Sequence, residues 1–277
     1  MQKPISPLIL SFGAADPIGA TGIQADLATF AAMGCQGVCV ITSLMISDTT
    51  GVEDVQAVEP DILAEQARAV LEDMPIAAFK IGAVGSTENV AVIAEIMADY
   101  PDIPLILDPF YSAMPDQGFS NPETVLAIEE LLVPQSTLFL LSANEIIRLA
   151  EILRENNVDN TLEKNIADLL KLGCAYLFIT GTPCPFPSIS NTLYDTSGTL
   201  RHDVWPRIPG TFLGAGSTLS GAITALLAMG LDISDAVLEA QEFTMASLTH
   251  AERQGMGKLI PNRYFWAQEE DLPPPLV

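Results

Sequence analysis

The chain has 277 residues, of which 49% are hydrophobic, and a formal net charge of −23 from 12 Lys+Arg against 35 Asp+Glu. That length supplies ample core for a large α/β domain, while the charge repels nucleic acid and anionic membrane as partners. No apolar run reaches the roughly 18 residues of a membrane span, and the opening MQKPISPLILSFG lacks the basic start and long apolar stretch of a secretory signal, so a cytoplasmic protein is expected.

LILSF (Leu8 to Phe12) reads as a strand, and Ile23, Leu27, Phe30 and Ala31 then share one helical face. GVCVITSL is a buried strand, and GVEDVQAVE alternates as an edge strand does. Pro60 opens a helix striped by Ile62, Leu63, Ala67, Val70 and Leu71. After the strand IAAFKIGAV, Ser86 caps a helix carrying Val90, Ile93 and Met97. PLILD is a short strand ending in Asp108, and Asn121-Pro122 starts the helix ETVLAIEELL. STLFLLS is a strand and NEIIRLAEIL a helix. Thr161 opens the next helix, Gly173 follows its end, and AYLFIT is a strand. Pro183, Pro185 and Pro187 predict a loop near a sheet edge, and NTLYDTSGTLRHDVW predicts a hairpin turning at Thr196-Ser197-Gly198. Two long helices finish the chain, one after the glycines near 214 and one from about Ser234 to Gln254. This alternation predicts an α/β fold with a mainly parallel sheet and helices on both faces. A single domain is expected over 1–266, followed by an acidic, proline-rich tail over 267–277.

Ligands of such sheets bind beyond the carboxyl ends of the strands, which selects a few segments. In GTFLGAGST, glycines precede a helix whose first N–H groups are unpaired and carry partial positive charge. Gly214, Ala215 and Gly216 could cradle a phosphoryl group, or the loop could simply pack its helix. GAADPIGATGIQAD sets Gly13, Gly19 and Gly22 around Asp16 and opens a helix, with Asp26 read as a first-turn carboxylate. It does not fit G-x-G-x-x-G, so a dinucleotide site is unsupported. Cys35, Cys39, Cys174 and Cys184, with His202 and His250 distant in sequence, do not make a zinc set and read as reduced thiols. Lys80, alone in an apolar strand, needs a carboxylate partner and reads as structural. Tyr264-Phe265-Trp266 reads as packing for the last segment.

GAADPIGATGIQADLATFAAMGCQGVCVITSL resembles the opening of the hydroxymethylpyrimidine/phosphomethylpyrimidine kinases of thiamin biosynthesis, in the ribokinase-like superfamily. The resemblance continues in order through TTGV, FKIGAVGS, LILDPF, LVPQSTLFLLSANE, LFITGT and PGTFLGAGSTLSGAITALLAMG. It implies a three-layer ribokinase-like fold that uses ATP and Mg²⁺ to phosphorylate a small heterocyclic alcohol or its phosphate. Gly214, Ala215 and Gly216 would then form the anion hole, with Ser217 at the position of the catalytic base. Gly13, Asp16, Asp26, Ser47 and Ala83 would lie at the organic substrate. Thr180 and Gly181 would lie at the nucleotide, and Asp108 and Glu145 at the metal. A homodimer is also implied.

The chain departs from that family at functional positions. The final motif is Gly-Ala-Gly-Ser, where relatives carry aspartate or cysteine at position 217, and a serine hydroxyl is a much poorer base. Ser142 stands for the asparagine of N-x-x-E, Ser47 for a ring-reading glutamine, and Thr180 for a lysine. Two readings follow. One is a kinase of hydroxymethylpyrimidine, of its monophosphate or of both, slowed by Ser217. The other is an impaired homologue that binds a pyrimidine or pyridoxine-like ligand without turnover. Phosphoryl transfer is largely positioning and electrostatics, so loss of a base slows it without abolishing it.

Overall fold

Among the described residues, nine strands form one sheet in the order β3-β2-β1-β4-β5-β6-β7-β8-β9. The structure is a computed structural model and describes residues 6–109, 111, 121–153, 161–185 and 187–267. Residues 268–277 of the expected tail lie outside the described residues. The strands are β1 (Leu8–Ala15), β2 (Gln36–Ser47), β3 (Val52–Ala57), β4 (Ile76–Ile81), β5 (Leu105–Leu107), β6 (Leu138–Ser142), β7 (Tyr176–Pro183), β8 (Ser188–Asp195) and β9 (Gly198–Pro206). Those from β2 through β1 and β4 to β7 run parallel, while β3, β8 and β9 pair antiparallel at the two edges.

Helices cover both faces, as alternation of strand and helix requires. The helices α2 (Pro60–Asp73), α3 (Thr87–Ala98), α4 (Pro122–Leu131), α5 (Ala143–Leu153) and α6 (Leu162–Lys171) pack in succession. Several of them bury apolar side chains against Phe12, Phe79, Leu107 and Phe139. On the other face α1 (Gly22–Ala32) packs on α7 (Ala215–Ala228), and α7 on α8 (Ile233–Thr249). There Ile106, Leu140 and Phe178 meet Leu219, Ile223 and Val237. The two-residue period of a strand separates these sets. In β4, Phe79 and Ile81 join the α2–α6 side, which leaves Lys80 pointing toward α1 and α7.

Local signals account for many helix starts. The side chains of Ser86, Asn121 and Thr161 accept hydrogen bonds from the N–H groups of Asn89, Glu123 and Lys164. Two expectations need correction. The proline-rich stretch predicted as a loop is part of a hairpin: β7 runs to Pro183 and β8 begins at Ser188, the two pair with a register shift between Ile179 and Thr182, and Pro185 and Pro187 fall between the strands. Pro183 is tolerated because it ends its strand. The last helix stops at Thr249 rather than near Gln254, and the chain then turns back to pair Glu252 with Ile260. Among the described residues, no helix is long and apolar enough to cross a membrane.

Candidate active site

The first turn of α7 lies between two recesses. Gly214 is its N-cap with φ 95°, a left-handed conformation that favours glycine. A Cβ there would sit 1.8 Å from the carbonyl oxygen of Ala20, so the loop before α1 rests directly on the start of α7. Gly216 differs, since beyond its own helix turn a Cβ added to it would meet nothing within 4 Å among the described residues. The amides of Ala215, Gly216 and Ser217 are the unpaired donors of a helix start, at the positive end of its dipole.

On one side of that turn is a small polar recess lined by Asp26, Lys80, Asp108 and Ser217, with Gly13 and Ala83 at its wall. Asp26 is not a first-turn carboxylate as expected. It lies in the second turn of α1 and faces inward, because α1 starts at Gly22. One of its oxygens is 2.7 Å from Lys80 Nζ, and the other accepts a 2.7 Å hydrogen bond from Ser11 Oγ. The expected carboxylate partner of Lys80 is thus Asp26. Asp108 follows β5 and accepts a 2.6 Å hydrogen bond from Ser220 Oγ, one turn into α7. Burial pushes the Asp108 carboxyl up to about 6. The Lys80 charge and the Ser220 hydroxyl oppose that rise, and the charges of Glu145 and Asp26 add to it. Asp16, just beyond β1, accepts from the Thr21 N–H at 2.8 Å and from Ser47 Oγ at 2.8 Å. Asp16 and Ser47 are therefore brought together at the carboxyl ends of β1 and β2.

On the other side is a mostly apolar cleft of about 170 Å³ that reaches Ala215, Gly216 and Leu219 and is walled by Thr180, Gly181 and Trp205. Its polar groups bond to one another. The Gly181 N–H donates to Asn191 Oδ1 at 2.8 Å, and Asn191 Nδ2 and Trp205 Nε1 both donate to Gln241 Oε1. The mouth of α7 is open to this cleft.

Glu145 lies at the start of α5. Its carboxylate accepts a 2.7 Å hydrogen bond from the Ser142 N–H, and Ser142 Oγ accepts from the Glu145 N–H at 3.2 Å. This is a reciprocal helix cap of the S-x-x-E type, so the serine that replaces asparagine here builds the helix start. Among the described residues no three His, Cys, Asp or Glu side chains converge as a metal set. A Mg²⁺ ion held largely by water and phosphates needs only one or two carboxylates, and the Asp108–Glu145 neighbourhood fits that demand.

Comparison with known proteins decides the family. The family described as phosphomethylpyrimidine kinase matches residues 16–262. The chain belongs to the phosphomethylpyrimidine kinase family. It is 32% identical over 260 residues to the hydroxymethylpyrimidine/phosphomethylpyrimidine kinase of Escherichia coli (strain K12), covering 93% of this chain and 97% of that one. A solved phosphomethylpyrimidine kinase from Clostridium difficile 630 superposes with TM-score 0.71 at 29% identity, over 87% of this chain and 98% of the other. The pyridoxal kinase from Staphylococcus aureus in complex with AMP-PCP shares the fold, with TM-score 0.83 at 21% identity over 96% of each chain. The expected ribokinase-like α/β architecture is thus the one observed.

Within this phosphomethylpyrimidine kinase family member, sequence reasoning missed several residues around the site. Ser11 and Ser220 have no local signal, because each bonds a carboxylate far away in sequence. Arg263, buried beneath the start of α7, is another. The S-x-x-E spacing of Ser142 and Glu145 was a legible cap signal.

Proposed function

We propose that the chain transfers the γ-phosphoryl group of ATP to hydroxymethylpyrimidine and to its monophosphate, as the names of its relatives describe for them. One observation carries the reading. The free amides of Ala215, Gly216 and Ser217 sit between a polar recess and an apolar cleft, so a phosphoryl group held there faces both. In this reading the nucleotide occupies the cleft beside Thr180 and Gly181. The organic substrate lies on the side of the recess, between Gly13 and Ala83 at its wall and the Asp16–Ser47 pair beyond it, and the recess of about 10 Å³ must widen to admit a ring. The amides stabilise negative charge on the moving phosphoryl group. Ser217 holds the substrate hydroxyl in line without acting as an effective base. Asp108 and Glu145 would hold Mg²⁺, which draws charge from the phosphates when bound. A homodimer belongs to the same proposal.

The test is ADP formation with ATP, Mg²⁺ and a panel of hydroxymethylpyrimidine, its monophosphate and pyridoxal, with product masses measured. Faster ADP release with the pyrimidines and a product one phosphoryl heavier is expected. Ligand binding with no ADP above background would favour the impaired homologue, and preference for pyridoxal would overturn the ring assignment.

A further inference from the structure

Arg263 is 5% exposed, yet among the described residues no carboxylate pairs with its guanidinium. It spends its donors on three other groups. Nε donates to Thr218 Oγ1 at 3.0 Å, Nη1 to the Gly19 carbonyl at 3.2 Å and Nη2 to the Ala20 carbonyl at 2.7 Å. Thr218 Oγ1 in turn donates to the Gly214 carbonyl at 2.8 Å. The Ala20 carbonyl is also the atom that presses on Gly214. One guanidinium therefore joins the loop before α1 to the first turn of α7, the two glycine-bearing segments that frame the site. The match to the family ends at residue 262, one position before it.

Resting on the kinase reading above, we propose that Arg263 is a positioning residue, which clamps the Gly19–Ala20 loop to the first turn of α7 so that the amides of Ala215 to Ser217 are preorganised for an anion, with an unpaired positive charge behind them. A guanidinium suits this task because its planar donors can satisfy separate acceptors at once, while an ammonium is a compact point charge on a flexible stem. Burial draws the group down to about 10, with Asp26 and Asp16 opposing that shift, so it stays charged at neutral pH. Buried, unneutralised charge is costly. A residue serving only to anchor the last segment would do as well with an apolar side chain. Preorganised donors strengthen the transition state without reorganisation at the moment of transfer.

The experiment uses the full chain with Arg263→Gln, Arg263→Lys, Arg263→Ala and Thr218→Val, measured by steady-state ADP formation, thermal melting and hydrogen exchange. Arg263→Gln is expected to lower kcat by about 10²-fold, the scale of a small misplacement of catalytic groups, with KM for ATP little changed. Arg263→Lys should rescue poorly. Millimolar guanidinium should restore part of the kcat of Arg263→Ala. Thr218→Val, which keeps the guanidinium but removes its α7 acceptor, should lower kcat in the same sense; it also strands a buried Nε–H and so melts lower, and its kcat is therefore compared at a temperature where the chain is fully folded. The hydrogen-bonded amides of Gly19, Thr21 and Thr218 should exchange faster together in Arg263→Gln. Unchanged kcat in Arg263→Gln or Thr218→Val, or a fall that tracks melting temperature with no guanidinium rescue, overturns the clamp. A wild-type chain that forms no ADP counts against the kinase reading alone. The exchange measurement needs no turnover, and equal protection in wild type and Arg263→Gln overturns the clamp on its own.

Discussion

The ammonium of Lys80 lies 2.7 Å from the carboxylate of Asp26, and the two side chains are 2% and 1% exposed. The pair forms part of the polar recess beside Ser217. Breaking one side of such a pair strands a charge in a poorly solvated interior. Lys80→Met is expected to destabilise the chain by about 3–5 kcal/mol in urea unfolding. Adding Asp26→Asn, which removes the stranded charge, should recover much of that loss. If the double variant is as unstable as the single one, the cost arises from packing instead.

Gly214 and Gly216 should separate stability from turnover. Gly214→Ala forces a Cβ onto the Ala20 carbonyl at positive φ, so a loss of at least about 1–3 kcal/mol from backbone strain is expected. Beyond its own helix turn, Gly216→Ala meets no atom of the described residues within 4 Å and should melt like wild type, while its methyl narrows the anion cradle and lowers kcat. Equal kcat for wild type and Gly216→Ala would remove the cradle from the proposed mechanism.

Ser217 is buried at the first turn of α7 and lines the polar recess with Asp108. A thiolate accepts a proton far better than a serine hydroxyl. Ser217→Cys is therefore expected to raise kcat by about 10²-fold, the low end of what a positioned base contributes. Turnover numbers with saturating ATP and hydroxymethylpyrimidine check this. A variant no faster than wild type would mean that the proton leaves by another route.

Glu129 of α4 is buried, and among the described residues one of its carboxylate oxygens has no hydrogen-bond partner. Burial first, and the neighbouring Glu130 second, push its carboxyl from 4.5 up to about 8. The folded state therefore holds this proton more tightly than the unfolded chain does. Its contribution to stability is fully present below about pH 4.5 and is lost as pH rises through about 8. Glu129→Gln, which cannot ionise, should melt higher than wild type at pH 9, with the advantage shrinking toward pH 4. A constant difference across that range would rule out ionisation as the cause.

The parts of this protein that were legible in its sequence are those governed by neighbours along the chain. Ser86, Asn121 and Thr161 marked helix starts because a cap bonds an N–H two or three residues away. Strand alternation placed Lys80 among apolar neighbours and so demanded a partner for it. Glycines ahead of α7 marked a sharp turn at a helix start and a candidate anion cradle, and resemblance over most of the chain identified the family. Where a local rule met a longer-range one, it failed. The prolines near residue 185 suggested a loop, yet pairing with β8 and β9 drew the flanking residues into the sheet.

The sequence by itself determined the α/β alternation, because periodicity and capping act over a few residues, and its resemblance to known kinases over most of its length determined the family. Tertiary structure alone decided that Asp26 answers Lys80, that Ser220 answers Asp108, and that Arg263 ties residues 19 and 20 to 218. These partners become neighbours only when β1 and β4 pair side by side and α7 packs over them. Burial then makes each unpaired charge or polar group too costly to leave without its distant complement.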